Sequence, residues 1–142
     1  MNHSITRMIT LLARKCQCCI GEIIAPYNLT VAEQPFFMAL QHNEGITQEG
    51  LTAIVGVDKA ATARAVKSLE NKGFLTRRQD ENDRRNNLLF PTKKAKELYP
   101  SVHSTLLALN ASITAGIDME DQEKILYCLQ IIEKNLMKIN EK

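Results

Sequence analysis

Along the first part of the chain, apolar side chains recur at steps of four and three: Ile5, Ile9, Leu12, Cys16, Cys19 and Ile23. That spacing sets them on one face of a helix, predicted from about Ser4 to Ala25 and stopped by Pro26. The next stretch, "LTVAEQPFFMALQH", opens with Thr30 and Glu33 at capping-box spacing. It predicts a helix with Thr30 as its N-cap, although Pro35 sits awkwardly inside it, and Asn43-Glu44-Gly45 closes it. A short helix follows Thr47 and reaches about Val55. Gly56 makes a turn, and Asp58 caps the helix in "VDKAATARAVKSLENKGF". Thr62, Ala65, Val66 and Leu69 form the inward face of that helix. Gly73 supplies a left-handed residue past its end, with Phe74 placed to pack back.

After Gly73 the period changes. "FLTRRQ" and "NLLFPT" read as short strands separated by the polar loop "DENDRRN". From Thr92 a long helix is predicted to about Ala115, kinked at Pro100 and ended by Gly116. Asp118 caps a last helix with Ile125, Leu129, Ile132, Leu136 and Ile139 on one stripe. Two short helices across a tight turn, followed by a basic hairpin, make a winged helix. The expected fold is therefore mainly α: a winged helix-turn-helix domain with a small β-hairpin wing, flanked by N- and C-terminal dimerisation helices. The winged lobe spans 29–96 of a single 1–142 chain, and 1–28 with 97–142 form the helical dimerisation region. The terminal stripes are longer than a small lobe can cover. Burying apolar surface gains ~25 cal/mol per Å², so a homodimer held by both chain ends is expected.

Composition changes this picture little, but charge changes it considerably. Apolar residues make up 44% of the chain and aromatics only 5%, which gives an aliphatic core and excludes a disordered chain. Net charge is +2. Residues 58–96 hold 11 Lys/Arg against 5 Asp/Glu, a local +6, whereas 1–57 hold 3 against 4 and 97–142 hold 4 against 7. A concentrated cationic segment between mildly acidic ends is the footprint of a polyanion partner.

The helix after Asp58 fits that partner. A recognition helix slides its outer face into a groove about 12 Å wide, where bulk would block approach. Ala60, Ala61 and Ala63 keep the face slim, and Lys59, Arg64 and Lys67 offer donors. Arg64 is the candidate for a bidentate contact to guanine. Lys59 and Lys67 suit phosphates or a base acceptor, and the alanines can touch thymine methyls. On the hairpin, Arg77, on a strand beside Arg78, and Arg84 and Arg85, in the loop, are further candidates for contact with that partner. Asp83, two positions before Arg85, can hold that arginine extended toward a minor groove.

"LTVAEQPFFMAL", "GITQEGLTAIVGVDKAATARAVKSLENKGFLTR", "DENDRR" and "PTKKAKELYP" resemble, in order and spacing, the MarR/SlyA family of bacterial transcription regulators. The resemblance runs from Leu29 to about Tyr99. It implies a homodimeric repressor on a pseudo-palindromic operator of double-stranded DNA, responsive to small phenolic or other anionic ligands. Its recognition contacts fall on Lys59, Ala60, Ala61, Ala63, Arg64 and Lys67, and its wing motif on Asp83 and Arg85 with Arg84 between. Alanine stands at 60, 61 and 63, where Ser or Thr is common in the family, and Ala95 where Gly is frequent; fewer base hydrogen bonds follow. In similar proteins an effector pocket lies where the first helix meets the winged lobe. The candidates there are Arg14 as anion receiver and Phe37, His42 and Tyr99 as walls.

Cys16, Cys18 and Cys19 cluster on the first helix beside Arg14 and Lys15, and Cys128 stands apart. Zinc-type paired modules are missing, so no metal or other cofactor is expected and the thiols are read as reduced. Thiol-based redox control of the same fold is the alternative, although the cysteines sit closer to Thr30 than in the peroxide-sensing branch. An enzyme is not expected: His3, His42 and His103 are scattered, and no nucleophile or phosphate-loop motif is present. A winged helix used for protein interaction without DNA is a further alternative. No segment reads as a secretory signal or membrane span. The expected location is cytoplasmic, associated with a bacterial or archaeal nucleoid.

Overall fold

The computed structural model describes residues 4–141, so His3 lies outside the described residues. In chain order the elements are α1 (Ile5–Ile24), a 3-10 turn (Ala25–Tyr27), α2 (Gln34–Gln41), β1 (Ile46–Thr47), α3 (Gln48–Val55), α4 (Lys59–Asn71), β2 (Leu75–Gln79), β3 (Asn87–Pro91), α5 (Lys93–Ile113) and α6 (Met119–Asn140). The chain divides into two units, Met1–Leu107 and Ala108–Lys142.

In the first unit, the Ser4 Oγ caps α1 by accepting from the Arg7 amide at 3.4 Å. The Thr30–Glu33 capping box forms in full. Thr30 N donates to Glu33 Oε1 at 2.9 Å, and Glu33 N donates to Thr30 Oγ1 at 3.2 Å. The helix it leads into starts later than expected, at Gln34. Pro35 thereby falls in the first helical turn, where a missing N–H costs nothing because no intrahelical carbonyl awaits it. The box closes a preceding turn instead.

Thr47 caps α3, accepting from Gly50 N at 3.0 Å. Gly56, with φ +77°, turns the chain toward α4 at an angle that a Cβ would strain. At the far end of α4, Phe74 N donates to Leu69 O at 2.9 Å and Gly73 N to Glu70 O at 3.0 Å. This is a Schellman closure, with Gly73 left-handed at φ +81° and Phe74 buried. Thr92 Oγ1 then donates to Gly73 O at 2.6 Å and accepts from Ala95 N at 3.2 Å, starting α5. That helix runs on through Pro100 and ends at Ile113, two residues short of the expected Ala115.

The expected two-stranded wing is a three-stranded antiparallel sheet in the order β1-β3-β2. β2 pairs with β3 from Leu75↔Pro91 to Gln79↔Asn87, and Ile46↔Leu89 and Thr47↔Leu88 add β1. A two-residue strand has no period to read, so its partner alone defines it. The core closes where α2 (Phe36, Phe37, Leu40), α3 (Leu51), α4 (Ala65, Val66, Leu69), the sheet (Leu75, Leu89) and α5 (Ala95, Val102) meet. Phe37 stands edge-on to Phe74, ring centroids 5.5 Å apart. Among the described residues, no buried side-chain nitrogen or oxygen lacks a hydrogen-bond partner.

In the second unit, Asp118 caps α6 by accepting from Asp121 N at 2.8 Å. No residue of α6 is buried. Ile125, Leu129, Leu136 and Ile139 are exposed, and Ile132 is half-buried. No helix among the described residues is long and apolar enough to cross a membrane.

Candidate nucleic-acid interface

Asp58 starts α4 in the extended conformation of an N-cap, its Oδ1 accepting from Ala61 N at 2.7 Å. Thr62 Oγ1 donates back to Asp58 O at 3.0 Å and accepts from Thr52 Oγ1 at 2.9 Å, which joins the two helices across the turn. Thr62, Ala65, Val66 and Leu69 are buried, so the period of 3.6 turns the other side outward. Lys59, Ala60, Ala63, Arg64 and Lys67 are exposed, and Ala61 is half-buried. Among the described residues, Lys59, Arg64 and Lys67 have no carboxylate partner. The outer face of α4 is thus cationic and low in relief.

On the wing, Arg85 Nε donates to Asp83 Oδ1 at 3.0 Å and Nη2 to Asp83 Oδ2 at 3.1 Å, while Arg85 N donates to Oδ1 at 3.2 Å. Two of these bonds orient the guanidinium as a fork and the third ties the backbone, although the Arg85 side chain is 89% exposed. Arg85 holds the Asp83 carboxyl below the usual carboxylate range, and Asp83 raises the guanidinium in turn. Arg84 is exposed, its carbonyl accepting from Gln79 Nε2 at 2.9 Å.

Arg77 is placed differently from its neighbours. Its Nε donates to Glu70 Oε2 at 3.2 Å, and its side chain is 31% exposed, so it braces β2 against α4. Strand alternation alone puts Arg77 on the wing, and the approach of α4 then captures it. Arg78 lies over the Phe90 ring at 4.3 Å. A cleft of about 180 Å³ separates the start of α3 from the wing and is bordered by Gln48, Arg85 and Asn86. Gln48 and Asn86 are polar groups at this edge that sequence reasoning passed over, because single amides in polar segments carry no pattern.

The candidate effector residues differ in exposure and contacts. Arg14 is exposed on α1. Phe37 is 1% exposed and belongs to the core, so it offers no open wall. His42 and Tyr99 are brought together: His42 Nε2 and Tyr99 Oη lie 2.9 Å apart, and Tyr99 stacks on His103 at 5.4 Å. Cys16 is half-buried, and Cys18, Cys19 and Cys128 are exposed free thiols. Cys19 is thus exposed within a single chain although it lies on the apolar face of α1. Among the described residues, no group of three or more His, Cys, Asp or Glu can hold a metal ion.

The family model of MarR matches residues 37–86, the stretch from α2 through the wing loop. An HTH-type transcriptional regulator of Bacillus subtilis strain 168, YybA, is 32% identical over 139 residues, covering 94% of this chain and 89% of that protein. The crystal structure of a MarR transcriptional regulator from Methanosarcina mazei Go1 superposes with a TM-score of 0.86 at 34% identity, covering 95% of this chain and 97% of that one. A MarR-family regulator from Listeria monocytogenes, solved in complex with 26mer DNA, gives a TM-score of 0.89 at 28% identity over 95% of this chain and 90% of that one. These relatives are regulators of transcription. With the winged lobe and its cationic helix in hand, the chain belongs to the MarR family of helix-turn-helix transcriptional regulators.

Proposed function

We propose that the chain binds double-stranded DNA sequence-specifically, as a homodimer on a pseudo-palindromic operator, and represses transcription until a small anionic or phenolic ligand releases it. The observation that carries this reading is the outer face of α4, where Arg64, Lys59 and Lys67 stand exposed among slim alanines, without acidic partners among the described residues. Arg64 takes guanine O6 and N7, the lysines take phosphates, and Ala60, Ala61 and Ala63 let the backbone close on the major groove. Arg85, braced by Asp83, reaches an adjacent minor groove, with Arg84 on the flanking phosphates. The Listeria relative solved with DNA supports the same use of the lobe.

The exposed apolar positions of α1 (Ile5, Met8, Leu12) and of α6 (Ile125, Leu129, Leu136) support pairing with a second copy. A two-fold dimer presents two α4 helices to two half-sites. Occupying an operator excludes polymerase from overlapping sequence, which is the physical basis of repression. The ligand is read at Arg14 and at the His42–Tyr99 pair, and it acts only by favouring one arrangement of the dimer over another. Substituting Arg14 and finding the inducer response intact removes that residue from the reading.

Selection of duplexes from a random-sequence pool by the purified protein tests the proposal. The expected result is an inverted repeat whose half-site centres lie about 10 bp, or a multiple, apart. A pool that enriches no sequence contradicts it.

A further inference from the structure

Glu33 is 2% exposed, yet it carries a carboxylate. Its Oε1 accepts from Thr30 N at 2.9 Å and from Lys72 Nζ at 2.6 Å, and its Oε2 accepts from the Ser68 hydroxyl. Lys72 Nζ donates as well to Asn28 O at 2.9 Å. Burial alone pushes the Glu33 carboxyl up, but the bonds from Lys72, Ser68 and Thr30 together outweigh it, and it titrates below the usual carboxylate range. The lobe therefore encloses an ionised group.

The local turn requires only the Thr30 half of this network. Ser68 lies in α4 and Lys72 is its C-cap, four residues on, so one carboxylate grips the recognition helix and its C-terminal end. The apolar part of α4's buried face is Ala65, Val66 and Leu69, and apolar burial is non-directional. It resists lifting the helix away far better than it resists rolling it. Directional bonds supply that resistance: Thr52 to Thr62 near the N-terminal end, Glu33 to Ser68 and Lys72 toward the C-terminal end. A roll of about 20° moves a group ~6 Å from the helix axis by roughly 2 Å, enough to break a bidentate contact. Arg64 lies one turn before Ser68, and the two border the same cleft as Glu33.

We propose that Glu33 is a positioning residue for sequence readout, fixing the roll of α4 so that Arg64 meets base edges in register. This rests on the DNA reading above. Its test uses the full chain, the duplex selected by the wild type from a random pool, and a scrambled duplex of equal composition. Affinities are measured by competition at one salt concentration, well below the melting midpoint of each protein. Glu33→Gln keeps the shape and removes the charge. The expected result is about a tenfold loss for the selected duplex with little change for the scrambled one, because phosphate contacts tolerate a roll that base contacts do not. Ser68→Ala and Lys72→Met carry the same expectation and stand in if Glu33→Gln fails to fold. A folded variant that keeps the wild-type preference, or loses both affinities equally, overturns the proposal. A wild type that selects no duplex sinks the DNA reading itself, and this proposal with it.

Discussion

Residues 4–107 and 108–141 differ in what they bury. The first unit encloses Phe36, Phe37, Leu40, Leu51, Val66, Leu69 and Leu89, and the two polar residues buried with them, Glu33 and Thr62, are both hydrogen-bonded. In the second, α6 has a helical cap and an apolar stripe at Ile125, Leu129 and Leu136, yet buries no residue. Both regions carry sound local signals, and among the described residues only the first closes a buried core. Burial separates a part of the chain that closes a core from a part whose apolar stripe stays exposed, the part that the proposed dimer would cover. The basic segment, 58–96, falls wholly within the unit that closes the core.

The sharpest way to break this contrast is to damage each region separately. Leu51→Ala empties a fully buried site in the first unit and is expected to cost about 2–5 kcal/mol in chemical denaturation, since deleted methyl groups leave a cavity. The same experiment on α6 should behave differently. Ile125→Lys with Leu129→Lys is expected to leave the far-ultraviolet spectrum helical while light scattering falls to the monomer mass. A dimer that survives both lysines would place the interface elsewhere.

Smaller effects sharpen the account of the winged lobe. Arg64→Ala is expected to weaken binding to a selected duplex by ~1–3 kcal/mol and to relax preference at one base position. Arg85→Ala should weaken all duplexes evenly and lower the salt slope by about one, because a wing arginine meets phosphate and groove rather than a base edge. The smallest effect is in acid. Glu33 has a depressed folded-state pKa, so its contribution to stability is fully present above the ordinary carboxylate range and is lost as pH falls through the folded value. Glu33→Gln should therefore flatten the acid limb of stability against pH, measured by denaturation at a series of pH values.

Most of the winged lobe was legible from local chemistry. Asp58 capping α4, the Gly73–Phe74 closure and the Asp83–Arg85 fork each involve residues a few positions apart, where spacing determines geometry. What escaped depends on distant partners. β1 exists because Leu88 and Leu89 lie beside Thr47 and Ile46. Arg77 turns to Glu70 because β2 packs beside α4. Phe37, expected as a pocket wall on a helix capped at Thr30, becomes core once α2 begins at Gln34 and Phe37 faces Phe74. Glu33 showed its capping role in sequence and hid its grip on α4, some 35 residues away at Ser68.

The most direct measurement titrates binding of the purified protein to duplex DNA across a range of salt concentrations. A cationic helix face and wing that neutralise phosphates release counterions, so log affinity should fall linearly with log salt, with a slope of about −0.9 per phosphate contacted. An affinity that stays flat with salt would contradict a polyanion partner and point to a protein one.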